Sequence, residues 1–184
     1  MIEVEVRSFI SEDEYDRLIK EMEEKGEKLK EDKQITYYFS GDEDLRIQKN
    51  NSFAKLWLKG GDIHDDDREE FEVEFDRDDF QTLKEILEAL GYEVEIKWYR
   101  KRHKFRWKGF DVCVDYTPGY GRIVEIEKLC EEGDEEGKYE ELLDALDELG
   151  VEKTPDEKFD EAYERYKNNW KDILKERDLS EFKD

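Results

Sequence analysis

Charged residues repeat at every second position in several segments of this sequence, with acids and bases on different segments. The acids form the pairs Glu3 and Glu5, Glu70 and Glu72, and Glu125 and Glu127, and the bases are Arg46, Lys55, Lys59, Arg100, Arg102, Lys104 and Arg106. Carboxylates hold Mg²⁺ or Mn²⁺, and arginine forks match phosphate oxygens. The pattern is therefore typical of a site that binds a polyanion together with a divalent metal.

A second interpretation stays open on the residues alone. Glutamate is so frequent that Glu-x-Glu pairs arise by chance, and polar residues at alternate positions are normal on the solvent side of antiparallel strands. The basic alternation from Arg100 to Arg106 carries more weight, because the chain has 32 Lys and Arg against 55 Asp and Glu. The same segments would otherwise form a solvated sheet face.

Alternating apolar residues predict the strands that position these charges. The predicted strands cover residues 2–9, 35–39, 44–48, 52–59, 68–75, 92–98, 99–107, 111–116 and 122–128. A capping box of Ser11 and Glu14 begins the first helix, and helices are also predicted over 78–90 and 138–149. We predict an α+β fold in which about eight antiparallel strands form a closed or nearly closed β-barrel with helices packed outside.

A last helical segment begins near Pro155. Its apolar residues recur at helical spacing, as Phe159, Tyr163, Tyr166, Trp170, Ile173 and Leu174. We expect this stripe to pack on the outside of the sheet. The predicted organisation is a barrel domain over residues 1–152 followed by a C-terminal helical segment over residues 153–184.

Composition excludes several classes of function. The formal net charge of −23 disfavours binding to nucleic acid or to an anionic membrane. No apolar run exceeds three residues, which argues against a membrane span or a signal peptide and favours a cytoplasmic location. Cys113 and Cys130 stand apart without a neighbouring ligand pair, so we expect reduced, structural thiols and no zinc site.

Seven short motifs occur in order along the chain. They are Glu3-x-Glu5-x-Arg7, Leu45-Arg46-Ile47-Gln48, Leu56-Trp57-Leu58-Lys59-Gly60, Arg68-Glu69-Glu70-Phe71-Glu72, Arg100-Lys101-Arg102, Val114-Asp115 and the stretch Gly121 to Glu127. In this order they resemble the CYTH family, the triphosphate tunnel metalloenzymes, over about residues 1–150. Arg7 replaces the lysine of the family pattern, and Gln48 replaces an arginine.

The resemblance implies an eight-stranded antiparallel tunnel that binds a triphosphate-containing small molecule with Mg²⁺ or Mn²⁺. The implied metal ligands are Glu3, Glu5 and Glu127, with Glu125 and Asp115 as further metal-binding or cation-orienting acids. The implied phosphate-binding residues are Arg7, Arg46, Lys55, Lys59, Arg100 and Arg102, and the implied catalytic residues are Arg7, Glu70 and Glu72. Trp57 shares the face of Lys55 and either stacks on a substrate base or packs.

The resemblance favours a class IV adenylyl cyclase-like enzyme, which converts ATP to cyclic AMP and pyrophosphate. A triphosphatase acting on tripolyphosphate, thiamine triphosphate or a nucleoside triphosphate is a near-equal alternative. A non-catalytic module that binds polyphosphate or a nucleotide is the third, supported by Arg7 and Gln48. No nucleic-acid or membrane partner is expected, and a homodimer is compatible with the sequence.

Overall fold

The computed structural model describes residues 2–59 and 70–182, without the side chains of Lys59 and Glu70. The strands are β1 (Ile2–Ile10), β2 (Glu27–Phe39), β3 (Asp44–Lys49), β4 (Ala54–Lys59), β5 (Glu70–Phe75), β6 (Val94–Trp107), β7 (Phe110–Thr117) and β8 (Gly121–Cys130). The helices are α1 (Glu12–Lys25), α2 (Phe80–Ala89), α3 (Glu135–Glu148) and α4 (Asp156–Lys175), and single 3-10 turns occur at Arg77–Asp79 and Ser180–Phe182. Within the described ranges, no helix is long and apolar enough to cross a membrane.

The strands hydrogen-bond in the order β1-β8-β7-β6-β2-β3-β4-β5, and the pairs of defined register are antiparallel. The predicted α+β fold with eight antiparallel strands is therefore confirmed. The order of the described strands has two ends, β1 and β5, so the nearly closed form of the prediction fits better than the closed one.

Residue contacts divide the chain into two units. The first contains Met1–Glu31 and Lys101–Tyr166, and the second contains Asp32–Arg100 and Lys167–Asp184. In the first unit, alternate residues of β1 such as Val6 and Ile10 pack with α1 and α3, while Glu5 and Arg7 point to the other side. The predicted capping box is present, because Ser11 accepts from the backbone of Glu14 and the Glu14 carboxylate accepts from the backbone of Ser11.

The second unit has its own core on one side of its strands. Phe39, Ile47 and Ala54 from β2, β3 and β4 pack against Phe80 and Leu87 of α2. The apolar residues of these strands alternate with polar ones, so the polar residues lie on the side away from α2. This alternation positions Arg46 and Lys55.

Two strand boundaries differ from the sequence prediction. Residues 92–98 and 99–107 were predicted as separate strands, but they belong to the single strand β6, because the Trp98–Tyr99 junction contains no turn-forming residue. Strand β2 begins at Glu27 rather than near residue 35. Residues 27–34 are mostly charged and do not favour a strand by composition, so pairing with neighbouring strands makes them part of β2. Residues 68 and 69 of the predicted fifth strand lie outside the described residues.

Candidate functional site

Strand register gathers charged side chains on one face of the first unit. Glu5 lies opposite Glu127 across β1 and β8, and Arg7 lies opposite Glu125. Directly opposed residues of antiparallel strands project to the same side, so the register defines the members of this face. Among the described residues, the charged face of the first unit has six carboxylates and four cations, namely Glu3, Glu5, Asp111, Asp115, Glu125 and Glu127 with Arg7, Arg102, Lys104 and Arg106.

Arg102 anchors the most buried part of the charged face. Its Nε and Nη2 donate to the Asp115 carboxylate at 3.0 and 2.7 Å, and Nη2 also donates to Glu125 at 3.2 Å. Asp115 is only 5% exposed. Desolvation alone would lower the pKa of Arg102, but the charge and hydrogen bonds of Asp115 outweigh it and raise the pKa above its ordinary value. Arg102 therefore stays charged and fixed in orientation.

Lys104 binds two carboxylates farther along the same strand. Its Nζ lies 2.7 Å from Glu127 and 2.9 Å from Asp111. Desolvation opposes the charge of Lys104, yet the hydrogen bonds to Glu127 and Asp111 raise its pKa above the usual range. Lys104 is thus the cation that balances the charge of the Glu127 carboxylate.

Glu3 and Glu5 differ from the other acids of this face, since they form no ion pair within the part of the chain that the structure describes. Partial desolvation, followed by repulsion from Glu127 and Glu125, raises the pKa of Glu3. Desolvation and then Glu125 likewise raise the pKa of Glu5. Glu3 borders a cavity of about 330 Å³ together with Glu127, Asp111 and Lys104. Both carboxylates are placed where a cation would lower their energy.

The donor chemistry of the charged face fits a hard divalent cation. Carboxylate oxygens are the ligands that Mg²⁺ and Mn²⁺ prefer, and the face has two more carboxylates than cations. In residues 2–59 and 70–182, however, no three acidic, His or Cys side chains stand close enough to hold a metal as arranged. Lys104 would have to release Glu127 for Glu3, Glu5 and Glu127 to act together.

The second unit carries a cationic cluster of its own on the polar side of its strands. The Arg46 guanidinium lies 4.3 Å from the centre of the Tyr38 ring and 5.7 Å from that of Trp57, and it is ion-paired with Asp44. Lys55 lies 4.5 Å from the Trp57 ring and 2.6 Å from Glu72. Trp57 is buried, so its ring packs under the cations of its own unit.

Arg7 is in a different position from the other cations of the first unit. Within the described residues it forms no ion pair, and its guanidinium carbon lies 4.4 Å from the centre of the Phe159 ring of α4. The first turn of α4 therefore contacts the charged face, whereas the sequence led us to expect its stripe on the outside of the sheet. Arg7 also borders a cavity of about 230 Å³, whose other lining residues are Glu5, Val6, Tyr139, Lys153 and Asp156.

The sequence pattern of the CYTH domain matches residues 1–159, which is most of the chain. This protein belongs to the CYTH domain family. The family predicted from the seven motifs is thereby confirmed, and a comparison with curated proteins finds no match. The identification rests on the family pattern and agrees with the strand order described above.

Several solved structures share the fold of this CYTH domain. The PH1819 protein of Pyrococcus horikoshii is 28% identical with a TM-score of 0.62, covering 83% of this chain and 92% of that one. A candidate adenylate cyclase of Bacillus halodurans is 17% identical with a TM-score of 0.62, covering 84% and 92%. A candidate adenylyl cyclase of Hippeastrum with a dominant triphosphatase activity is 21% identical with a TM-score of 0.59, covering 82% and 89%. At this low sequence identity, the similarity to the Bacillus halodurans and Hippeastrum proteins is one of fold.

The structure of this CYTH domain distributes the predicted site residues between its units. The first unit brings seven of them onto its charged face, namely Glu3, Glu5, Arg7, Arg102, Asp115, Glu125 and Glu127. Arg46, Lys55 and Glu72 form the cluster of the second unit, and Arg100 of β6 belongs to the same unit. The side chains of Lys59 and Glu70 lie outside the described residues.

Two residues of this CYTH domain were absent from the predicted site. Asp111 pairs with Lys104 and lies 2.5 Å from Arg106, and its two-residue alternation with Cys113 and Asp115 is the signal that would have revealed it. Phe159 contacts Arg7, but its position in an apolar stripe carries no signal for this contact. Selecting residues by charge therefore misses an aromatic ring that contacts one of the charged residues.

Proposed function

We propose that this CYTH domain is a divalent-metal-dependent enzyme that acts on a triphosphate, with hydrolysis of inorganic tripolyphosphate as its reaction. One observation supports this most directly: unpaired carboxylates and an unpaired arginine occur on the same described face. Glu3 and Glu5 provide hard anionic donors, and Arg7 provides a cation that forms no ion pair within the described residues. A metal–polyphosphate complex supplies both complementary charges.

Each residue of the charged face has a separate role in this proposal. Glu3, Glu5 and Glu127 would hold Mg²⁺ or Mn²⁺, which when bound neutralises charge on phosphate oxygens. Arg7 would bind phosphate oxygens directly. Arg102 is held by Asp115 and Glu125 and would present its remaining N–H groups in a fixed orientation, which avoids reorganisation during phosphoryl transfer.

Lys104 holds the Glu127 carboxylate at 2.7 Å and would have to release it for Glu127 to serve as a metal ligand. A released Lys104 ammonium would be a further cation on this face for phosphate oxygens.

A class IV adenylyl cyclase-like reaction is the second candidate, because the length of the chain and its aromatic C-terminal segment resemble that subgroup. Cyclisation requires that the nucleoside be oriented so that its 3′-hydroxyl attacks the α-phosphorus. Trp57 was the aromatic candidate for stacking a base, but it is buried beneath Arg46 and Lys55. Tripolyphosphate needs no base contact, so the burial of Trp57 favours its hydrolysis over cyclisation of ATP.

Product analysis separates these reactions. The purified protein would be incubated with tripolyphosphate, thiamine triphosphate or ATP, with Mg²⁺, with Mn²⁺ and with a chelator. We expect metal-dependent release of orthophosphate, fastest from tripolyphosphate, and its loss in Arg7→Ala. Cyclic AMP with pyrophosphate would establish the cyclase instead. Metal-dependent binding without turnover would identify a non-catalytic module, and neither binding nor turnover would refute a triphosphate site.

A further inference from the structure

The aromatic contact on Arg7 is part of a small stacked cluster in the first unit. Phe159 of α4 stacks on Phe9 of β1 with ring centres 4.3 Å apart and an angle of 16° between the rings. Phe9 is two residues from Arg7 and shares its side of the strand. The Phe159 ring is 2% exposed, so both the ring and the guanidinium against it are shielded from water there.

A hydrogen-bonded clip fixes the chain just before α4 to the same strand. The Thr154 hydroxyl accepts from the backbone N–H of Phe9 at 3.0 Å, and the Thr154 backbone N–H donates to the Ser8 hydroxyl at 3.1 Å. The Ser8 hydroxyl also donates to the backbone carbonyl of Glu152. Ser8 is fully buried, so these bonds are protected from competition by water. The start of α4 is therefore attached to β1 beside Arg7 by more than apolar packing.

We propose that Phe159 is the positioning residue of Arg7 and thereby a determinant of the affinity for the phosphate chain. This inference rests on the proposed function and deepens it. The ring lies against the guanidinium and restricts its movement, and the Arg7 side chain also borders the cavity beside it. A flexible arginine would lose side-chain entropy when it binds phosphate, and a pre-oriented arginine loses less.

The contact suits an arginine better than a lysine. The guanidinium is planar and weakly hydrated and stacks on aromatic rings, whereas the ammonium of lysine is a compact, strongly hydrated charge. Phe159 should therefore matter when residue 7 is arginine and matter little when it is lysine. This difference separates positioning from packing, because the packing of Phe159 on Phe9 is the same in both backgrounds.

A double-mutant cycle on Arg7→Lys and Phe159→Leu tests the inference. We expect Phe159→Leu to raise the KM for tripolyphosphate about five- to thirty-fold in the arginine background, the range that corresponds to loss of a shielded cation–π contact. In the Arg7→Lys background the same substitution should change the KM less than about two-fold, within the error of such cycles. Phe159→Tyr keeps the ring and should restore the KM to near its original value.

Tyr166→Leu is the matched control, because Tyr166 is another buried aromatic residue of α4 that packs on Tyr120. It should lower thermal stability as Phe159→Leu does and leave the KM unchanged. An equal KM effect of Phe159→Leu in both backgrounds, or a KM effect of Tyr166→Leu as large, would overturn the inference. If the unsubstituted protein neither binds nor turns over tripolyphosphate by calorimetry and product analysis, the proposed function itself fails.

Discussion

Replacement of Glu5 by Gln should raise the thermal stability of the protein without metal and lower it, relative to the original protein, with metal. Glu5 lies opposite Glu127, and like charges opposed in a sheet are destabilising by up to about 1 kcal/mol. Because Glu5 is partly exposed, solvent screening reduces this to roughly 0.5 kcal/mol. Without metal, Glu5→Gln should therefore unfold about 1–2 °C higher than the original protein, given the usual relation for a domain of this size.

With divalent metal, the original protein should instead be more stable than Glu5→Gln. At a Mg²⁺ concentration one hundred times the Kd, a bound ion stabilises the folded state by about 2.7 kcal/mol, which exceeds the repulsion that the substitution removes. The protein with Glu5 should gain this stabilisation, and Glu5→Gln should lose most of it. Differential scanning calorimetry of both proteins with Mg²⁺ and with chelator gives the two differences directly.

The pH dependence has a defined sign. The raised pKa of Glu5 means that the folded state binds this proton more tightly than the unfolded state does, so ionisation at neutral pH costs stability. The advantage of Glu5→Gln without metal should be present at pH 7 and should disappear as the pH falls through the raised pKa. Glu140→Gln, an exposed carboxylate of α3, removes the same formal charge as a control. Equal metal responses of Glu5→Gln and Glu140→Gln would refute the metal assignment.

Further outcomes are expected for the buried pair, a thiol and the second unit. Arg102→Met should lower the free energy of unfolding in urea by about 3–5 kcal/mol, because Asp115 would remain buried without its partner. Arg102→Lys should recover part of that loss. A loss below about 1 kcal/mol in Arg102→Met would contradict the buried ion pair. Burial raises the pKa of the Cys113 thiol to about 12, so iodoacetamide at pH 8 should label it only after unfolding, as mass spectrometry of labelled peptides would show. Arg100→Ala should raise the KM for tripolyphosphate about ten-fold or more through loss of a charge-assisted contact, and unchanged kinetics would remove Arg100 from the phosphate site. Trp57→Phe should leave the ratio of kcat/KM for ATP and tripolyphosphate unchanged, and a selective loss with ATP would favour base stacking.

Much of the fold was predictable because its signals are local. The two-residue alternation identified the strands, and the Ser11–Glu14 capping box identified the start of α1. The extension of β2 back to Glu27 was not predictable, since its lysines and glutamates favour no strand and pairing with neighbours determines it. The subdivision of β6 was wrong because the buried positions change phase once within this long strand, between Trp98 and His103, and such a change looks like the start of a second strand.

The candidate site was predictable only in part, for a physical reason. Alternation shows which charges share a face of one strand, but the opposition of Glu5 and Glu127 requires the register between β1 and β8. The contact of Phe159 with Arg7 requires still more, because an apolar stripe does not specify which side of the sheet receives it. The order of the motifs was sufficient to predict the charged residues, whereas the contact of the Phe159 ring depends on tertiary packing.

The buried ion pairs argue against the interpretation of this face as an ordinary solvated sheet surface. A solvated face would leave its cations and carboxylates hydrated, whereas the Asp115 carboxylate is almost completely buried and binds Arg102 with two parallel hydrogen bonds. Such pairs contribute little net stability compared with apolar residues of the same volume. Their value lies in orientation, since Arg102 is directed before any ligand arrives. A face that holds oriented cations beside unpaired Glu3 and Glu5 therefore fits the proposed metal–triphosphate ligand better than it fits bulk water.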